Sequence, residues 1–80
     1  MKIQVLFFAE LKEVFGAQHQ LEVPDKTKAG DVTDYFSNGS KDFYLKKQPL
    51  VYAVNESFEA PDTLLKEGDC LAIMTPMSGG

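Results

Sequence analysis

Apolar and polar residues alternate at the start of the chain, which is typical of a β-strand with one buried face. A strand over Ile3–Phe8 would carry three of its apolar side chains on a single face: Ile3, Val5 and Phe7. The opposite face begins with the polar Lys2 and Gln4 and turns apolar at Leu6 and Phe8. The end of this strand is therefore apolar on both faces, which an ordinary half-buried strand is not.

Two segments carry apolar residues at helical spacing. The first runs from Ala9 to Phe15 and precedes Gly16, a residue suited to the left-handed conformation that ends many helices. The second begins after Thr27, which we expect to cap it, and ends at Ser37-Asn38-Gly39. Its predicted apolar stripe consists of Ala29, Val32, Tyr35 and Phe36. The charged segment after it, Ser40–Gln48, is compatible with a last helical turn or with a loop.

Short apolar runs separated by turn residues predict the remaining strands. They are His19–Val23 with Leu21 and Val23 facing inward, Leu50–Val54, a short returning strand that begins at Phe58, and Cys70–Met74. The order is strand, helix, strand, helix and then strands, which indicates an α+β fold. Because the first and last strands are both apolar enough to be central, we expect the β-grasp arrangement of ubiquitin-like proteins, a mixed sheet with helices on one face.

Composition limits the possible functions. Eighty residues suit one domain, and a single cysteine, Cys70, with a single histidine, His19, excludes an internal disulfide and a Cys/His zinc cluster. The formal net charge is −4, with eight lysines and no arginine, which argues against nucleic-acid and membrane surfaces and favours a basic protein partner. With no apolar run near the ~18 residues of a membrane span and no signal peptide, we expect a cytoplasmic protein.

Four blocks of the sequence resemble the small subunits of molybdopterin synthase over essentially the whole chain. They are Val5-Leu6-Phe7-Phe8-Ala9-Glu10-Leu11-Lys12-Glu13 followed by Gly16, Ala53-Val54-Asn55, Leu65 with Gly68-Asp69, and Pro76-Met77-Ser78-Gly79-Gly80. Two positions depart from the family pattern. Thr75 stands where the ending usually has a first proline, and Lys28 stands where a threonine is usual at a helix start. Neither departure touches the terminal diglycine.

The resemblance implies a β-grasp domain over residues 1–76 and a flexible Gly-Gly tail over residues 77–80. It implies that the carboxylate of Gly80 is adenylated by an ATP-using, ubiquitin-activating-like enzyme, receives sulfur from a donor protein and becomes a thiocarboxylate. Ser78 and Gly79 would insert with it into the catalytic large subunit, where sulfur passes to a cyclic pterin precursor. The protein would then be a non-catalytic subunit of a heteromer of two small and two large chains, with no bound cofactor or metal.

A partner interface is expected where the tail leaves the domain. Leu6, Phe8 and Met74 would form an apolar patch on the outward sheet face, and Pro76 and Met77 would extend it. The alternative is that a loop or the Phe43-Tyr44 segment covers these residues.

Several other features have plainer interpretations. Cys70 is expected to be a small, buried or half-buried apolar residue and His19 a solvated or edge residue, while Asp25, Asp31 and Asp34 are read as surface charge. Two other functions stay open: sulfur carriage for the thiazole of thiamine and ubiquitin-like modification of lysines. Thiazole carriers are typically shorter and lack the Phe-Phe-Ala-Glu-Leu type of opening.

Overall fold

The computed structural model describes residues 1–76, which build one mixed sheet from five strands, with helical segments connecting them. The strands are β1 (Lys2–Phe7), β2 (Gln18–Glu22), β3 (Val51–Val54), β4 (Ser57–Glu59) and β5 (Cys70–Met74). The α-helices are α1 (Ala9–Phe15) and α2 (Asp42–Lys46), and two 3₁₀ helices cover Ala29–Phe36 and Gly39–Lys41. The predicted tail, residues 77–80, lies outside the described residues.

The two ends of the described chain pair in the middle of the sheet, whose strand order is β2-β1-β5-β3-β4. β1 and β5 are parallel, with Phe7 opposite Ile73, and all other neighbouring strands are antiparallel. The predicted β-grasp arrangement is therefore confirmed. Because β1 and β5 run in the same direction, the chain leaves β5 at the end of the sheet where β1 passes into α1.

One face of the sheet, here called the inner face, carries the core. Ile3, Val5 and Phe7 of β1 are buried there, as the alternation predicts, and so are Leu71 and Ile73 of β5. The helical segments contribute further buried residues to the same core: Leu11, Ala29, Val32 and Leu45. The helices thus cover the inner face and leave the opposite face uncovered by helix.

An aromatic cluster closes the core beside α1. The ring of Phe7 lies 5.1 Å from that of Phe15 and 4.8 Å from that of Phe36. His19 belongs to this cluster, since its ring centroid is 4.9 Å from that of Phe36 and its Nε2 is 2.6 Å from the carbonyl oxygen of Phe15. The expected edge position of His19 is confirmed, because β2 is an outermost strand of the sheet. Its side chain is half-buried rather than solvated, because its position opposite Val5 turns it toward the inner face.

The predicted capping role of Thr27 is also wrong. Its hydroxyl donates a hydrogen bond of 2.7 Å to the carbonyl oxygen of Pro24, so it is engaged with the preceding turn. The helix begins after Lys28, whose backbone N–H donates to the carboxylate of Asp31. The N–H groups of Ala29 and Gly30, which a capping Thr27 would accept, donate instead to the carbonyl oxygens of Thr63 and Pro61.

The helix that follows is a 3₁₀ helix, and a distant segment fixes its start. The backbone N–H of Gly30 donates to the carbonyl oxygen of Pro61 at 2.8 Å. A Cβ at Gly30 would stand 3.1 Å from the Cβ of Pro61, so the absence of a side chain allows this close approach. Within the predicted stripe Ala29 and Val32 are buried and Phe36 packs on the core, but Tyr35 is exposed, which corrects its assignment.

The remaining boundaries differ little from those predicted. Gly16 ends α1 with the expected positive φ of 94°, but its ψ of 155° lies outside the left-handed helical region. The segment Ser40–Gln48 proves helical, since α2 occupies Asp42–Lys46. β2 begins and ends one residue earlier than predicted, with Val23 buried and Leu21 half-buried against the core. No helix in residues 1–76 is long and apolar enough to cross a membrane.

Candidate functional site on the outer sheet face

A row of apolar residues crosses the face of the sheet opposite the core, here called the outer face. Leu6 of β1 lies opposite Ala72 of β5, and Ala72 lies opposite Ala53 of β3. Ala53 in turn lies opposite Phe58 of β4. Directly paired residues share a face. The outer face therefore presents one apolar row across four strands, with small residues at its centre and larger ones at both ends.

A second pair lies next to this row, toward the end of the sheet where the chain leaves β5. Met74 stands opposite Val51, and both side chains are half-buried. Leu6 is half-buried as well. The structure thus brings the predicted Leu6 and Met74 onto the same face of neighbouring strands.

Phe8 lies one residue past the end of β1 rather than within the strand. Its backbone is still extended, with φ of −128° and ψ of 157°, and its carbonyl oxygen accepts the N–H of Leu11 as α1 begins. The backbone is therefore held by the helix start, while the side chain is 45% exposed. Large apolar side chains left exposed beside other apolar residues mark interaction surfaces.

Phe58 was missing from the predicted patch, although it is 76% exposed. It was recognised only as the start of a short strand. The signal that would have found it is the tight turn at Asn55-Glu56, where both residues have positive φ. Such a two-residue turn fixes the hairpin register, so that Phe58 must face the same way as Ala53.

The chain end leaves the sheet beside these residues. Pro76, the last described residue, is exposed and follows β5 by two positions. Because Phe7 and Ile73 are paired in parallel strands, Pro76 departs at the same end of the sheet as Phe8. The other predicted site residues, Met77, Ser78, Gly79 and Gly80, lie outside the described residues.

The alternative in which the Phe43-Tyr44 segment covers the patch is wrong. These residues belong to α2, which inserts Leu45 into the core at the inner face. Lys47 then joins α2 to α1 through an ion pair with Glu10, with Nζ and Oε1 2.7 Å apart. The segment is therefore held in the helical layer, on the side of the sheet away from Leu6 and Met74.

The polar residues of the outer face lie mainly on its β1–β2 side, where Lys2 stands opposite Glu22 and Gln4 opposite Gln20. Cys70 is half-buried there, opposite Gln4, and its backbone N–H donates to the side-chain oxygen of Asn55. Asp25, Asp31 and Asp34 are all exposed, which confirms that they are surface charges, and Asp31 also accepts the backbone N–H of Lys28. Within residues 1–76 no three His, Cys, Asp or Glu side chains are grouped so that they could hold a metal ion. The part of the outer face suited to binding a protein surface is its apolar row.

The strand order, the central parallel pair and the helices on one face define a ubiquitin-like β-grasp protein. Solved structures agree: SAMP1 from Haloferax volcanii superimposes with a TM-score of 0.77 at 22% identity, covering 100% of both chains. At 22% identity, this structural similarity shows a shared fold. At the level of sequence, residues 5–80 match the ThiS family, and the chain belongs to that family.

A relative at higher identity makes the family more specific, and a further structure shares the fold. The molybdopterin synthase sulfur carrier subunit of Drosophila erecta is 37% identical over 84 aligned positions, which include 100% of this chain and 92% of that protein. A complex of subunits 1 and 2 of the molybdopterin-converting factor from Helicobacter pylori has a TM-score of 0.69 at 20% identity, covering 100% of each chain. The resemblance to molybdopterin synthase small subunits inferred from the sequence is thereby confirmed.

Proposed function

We propose that this protein is the sulfur carrier of molybdopterin synthesis and that it carries sulfur on its C-terminal Gly80. The observation that carries the proposal is that the similarity extends over the full chain, including the terminal Gly79-Gly80. The Drosophila erecta relative is named as a molybdopterin synthase sulfur carrier subunit. A role confined to the folded domain would not require similarity to continue to the last residue.

The proposed chemistry takes place at the main-chain carboxylate of Gly80. A carboxylate is a poor electrophile, so an ATP-using, ubiquitin-activating-like enzyme first joins it to AMP with release of pyrophosphate. A sulfur donor protein then delivers sulfur at the oxidation level of sulfide, which bonds to the acyl carbon as the bond to AMP breaks, giving a thiocarboxylate. Gly79 and Gly80 lack Cβ atoms and can therefore enter a channel too narrow for other residues. The protein acts in this scheme as a co-substrate that is consumed and recharged.

We propose that the outer face is the docking surface for the catalytic large subunit. Leu6, Phe8 and Met74 lie beside the exit of the chain at Pro76, so a partner bound there would receive Met77 and the tail. Aromatic residues and methionine are enriched in the buried centres of interfaces. The Helicobacter pylori structure is a complex of subunits 1 and 2 of the molybdopterin-converting factor, which supports a partner of this kind. We propose two small and two large subunits.

Intact mass spectrometry of the protein purified from its host tests the carrier role. Replacement of one oxygen by sulfur should be visible as a heavier fraction, and treatment with an alkylating reagent should modify that fraction at Gly80. A protein found only unmodified, even after incubation with ATP, the activating enzyme and a sulfur donor, would contradict the proposal. Recovery of the chain joined to lysines of other proteins would instead favour a modifier. The proposed setting is the cytoplasm, where Cys70 stays reduced.

Sulfur carriage for the thiazole of thiamine is the second candidate function. The match of residues 5–80 to the ThiS family favours it. The thiocarboxylated protein should therefore be offered to two systems: a candidate large subunit with the cyclic pterin precursor, and a thiazole-forming system. Dithiolene formation in the first system supports our proposal. Sulfur transfer only in the second would replace it with the rival.

A further inference from the structure

The chain contains two asparagines, and their side chains are held very differently. The side chain of Asn55 is bound at both ends: Nδ2 donates to Asp69 and Oδ1 accepts the backbone N–H of Cys70, each at 2.9 Å. The side chain of Asn38 is exposed and forms no hydrogen bond with any residue in the part of the chain that the structure describes. Only its backbone is anchored.

The residue that follows Asn38 favours attack on its side chain. Gly39 has no Cβ, and the space where one would stand is open, with no atom within 4 Å. In the described residues its backbone N–H donates no hydrogen bond. Asn55, by contrast, is followed by Glu56, whose side chain crowds the same approach. The Asn38-Gly39 step therefore combines a free amide with an unobstructed backbone nitrogen.

We propose that Asn38 is a site of spontaneous deamidation. The backbone nitrogen of Gly39 loses its proton and bonds to Cγ of Asn38, while the Cγ–Nδ2 bond breaks and ammonia leaves with that proton. Water then opens the five-membered succinimide at either carbonyl. One opening yields aspartate at position 38, and the other yields isoaspartate, in which the main chain runs through the side-chain carbon. No enzyme, metal or oxidant takes part.

Asp42 restrains this reaction. Its carboxylate accepts the backbone N–H of Asn38 at 2.9 Å and also the hydroxyl hydrogen of Ser37. The hydroxyl bond is the main reason that the pKa of Asp42 lies below its usual value. Ring closure requires rotation about the Cα–C bond of Asn38, whose ψ is 83°, and about its Cα–Cβ bond. The two hydrogen bonds hold the backbone on the amino side of Asn38, and the N–H of Lys41 donates to its carbonyl oxygen at 3.0 Å, so the loop resists that rotation with Asp42 as one part of the restraint.

The product would disturb the start of α2. A new carboxylate at position 38 would lie close to that of Asp42, and like charges repel. Isoaspartate would also lengthen the main chain before a helix that holds Leu45 in the core. Deamidation would therefore loosen α2 while leaving the outer face and β5 intact.

The test is incubation of the full chain at neutral and at mildly alkaline pH, followed by peptide mapping with mass spectrometry. We expect the peptide with Asn38 to gain the mass of deamidation at least about tenfold faster than the peptide with Asn55, because Asn55 must first break its hydrogen bonds by local opening. Isoaspartate should be the larger product, detected as a methyl acceptor of isoaspartyl methyltransferase. Asn38→Gln should abolish the fast phase, since glutamine would have to form a six-membered ring.

Asp42→Ala tests whether the hydrogen bonds to Asp42 slow the deamidation of Asn38. Loss of both hydrogen bonds should accelerate deamidation of Asn38 several-fold and leave Asn55 unchanged. Equal rates at the two asparagines would overturn the proposal. So would an unmodified Asn38 after a period in which a synthetic Ser-Asn-Gly-Ser peptide is completely deamidated. An unchanged rate in Asp42→Ala would overturn the role assigned to Asp42.

Discussion

The side-chain amide of Asn55 donates a hydrogen bond of 2.9 Å to the carboxylate of Asp69, joining the β3–β4 turn to the turn that precedes β5. Asp69 is buried, and its second carboxylate oxygen accepts the backbone N–H of Lys66. The backbones of the same region are also paired, since Asn55 N–H donates to Cys70 carbonyl oxygen at 2.8 Å. This network fixes the start of β5, the strand that leads to the chain end.

Asp69→Ala should therefore destabilise the fold. It removes the charged acceptor of two part-buried hydrogen bonds, from the Asn55 amide and the Lys66 N–H, and a hydrogen bond to a charged group contributes about 1.5–3 kcal/mol. We expect the free energy of unfolding in urea to fall by about 2 kcal/mol. Asp62→Ala, at an exposed turn position, is the control and should change it by less than about 0.5 kcal/mol. Equal effects of the two substitutions would show that the network contributes nothing.

Phe8→Ala should weaken association with the large subunit. The exposed ring lies beside the exit of the chain, and a central aromatic anchor contributes about 1 kcal/mol or more to binding. Titration calorimetry with a purified large subunit would measure the loss. Phe58→Ala should also weaken binding if the interface reaches across the whole outer face.

Phe43→Ala provides the matched control for these variants. Phe43 is also a highly exposed phenylalanine, but it lies on α2 in the helical layer. Its removal should leave the affinity unchanged. If Phe43→Ala weakens binding and Phe8→Ala does not, the partner docks on the helical layer and the assignment of the outer face is wrong.

Tyr52 should contribute to the loss of stability at alkaline pH. Burial of its phenol, with a smaller contribution from the negative charge of Asp34, raises the pKa of Tyr52 above its ordinary value of 10.0. The folded state then binds the phenol proton more tightly than the unfolded state does. This stabilisation is complete below about pH 10 and is lost as the pH rises through the folded-state pKa.

Urea unfolding of Tyr52→Phe at neutral pH and above pH 10 would measure that contribution. The variant should lose less stability between the two conditions than the unsubstituted protein, because phenylalanine does not titrate. Tyr35→Phe, at an exposed tyrosine, should behave like the unsubstituted protein. An identical alkaline loss in Tyr52→Phe would contradict the raised pKa.

The sequence was informative where burial follows local periodicity. The alternation of Ile3, Val5 and Phe7 gave the inner face of β1, and the bounds of α1 and β5 agree with those predicted. It was uninformative where distant segments meet. The local sequence around Thr27 is typical of a helix cap. In the structure, however, the hydroxyl of Thr27 donates to the carbonyl oxygen of Pro24, and the carbonyl oxygen of Thr27 accepts the backbone N–H of Leu65.

The same distinction applies to the candidate site. Leu6 and Met74 could be assigned to one face because each strand alternates and the two strands were expected to be neighbours. Phe58 was harder to assign, since its place on that face depends on the register of a three-residue edge strand, which the tight turn at Asn55-Glu56 sets. His19 lies on an edge strand as predicted, but its polar neighbours, Gln18 and Gln20, do not reveal that its own side chain packs against Phe36.

Deletion of Gly80 should abolish sulfur loading without unfolding the domain. The truncated chain ends at Gly79, so its carboxylate is displaced by one residue from the position that the activating enzyme would reach. In the described part of the chain the buried core residues lie between Ile3 and Ile73, so the deletion removes none of them. Thermal unfolding should therefore be nearly unchanged, while incubation with ATP, activating enzyme and sulfur donor should give no heavier species in the mass spectrum.

Gly80→Ala is the control that separates the position of the carboxylate from the need for a small residue. It keeps the chain length and adds one methyl group at the terminus. If the channel accepts only glycine, this variant should also fail to load; if the position of the carboxylate alone matters, it should load normally. Either result is compatible with sulfur carriage at the terminus. Normal loading of the chain that lacks Gly80 is not, because the sulfur would then be bound at another group.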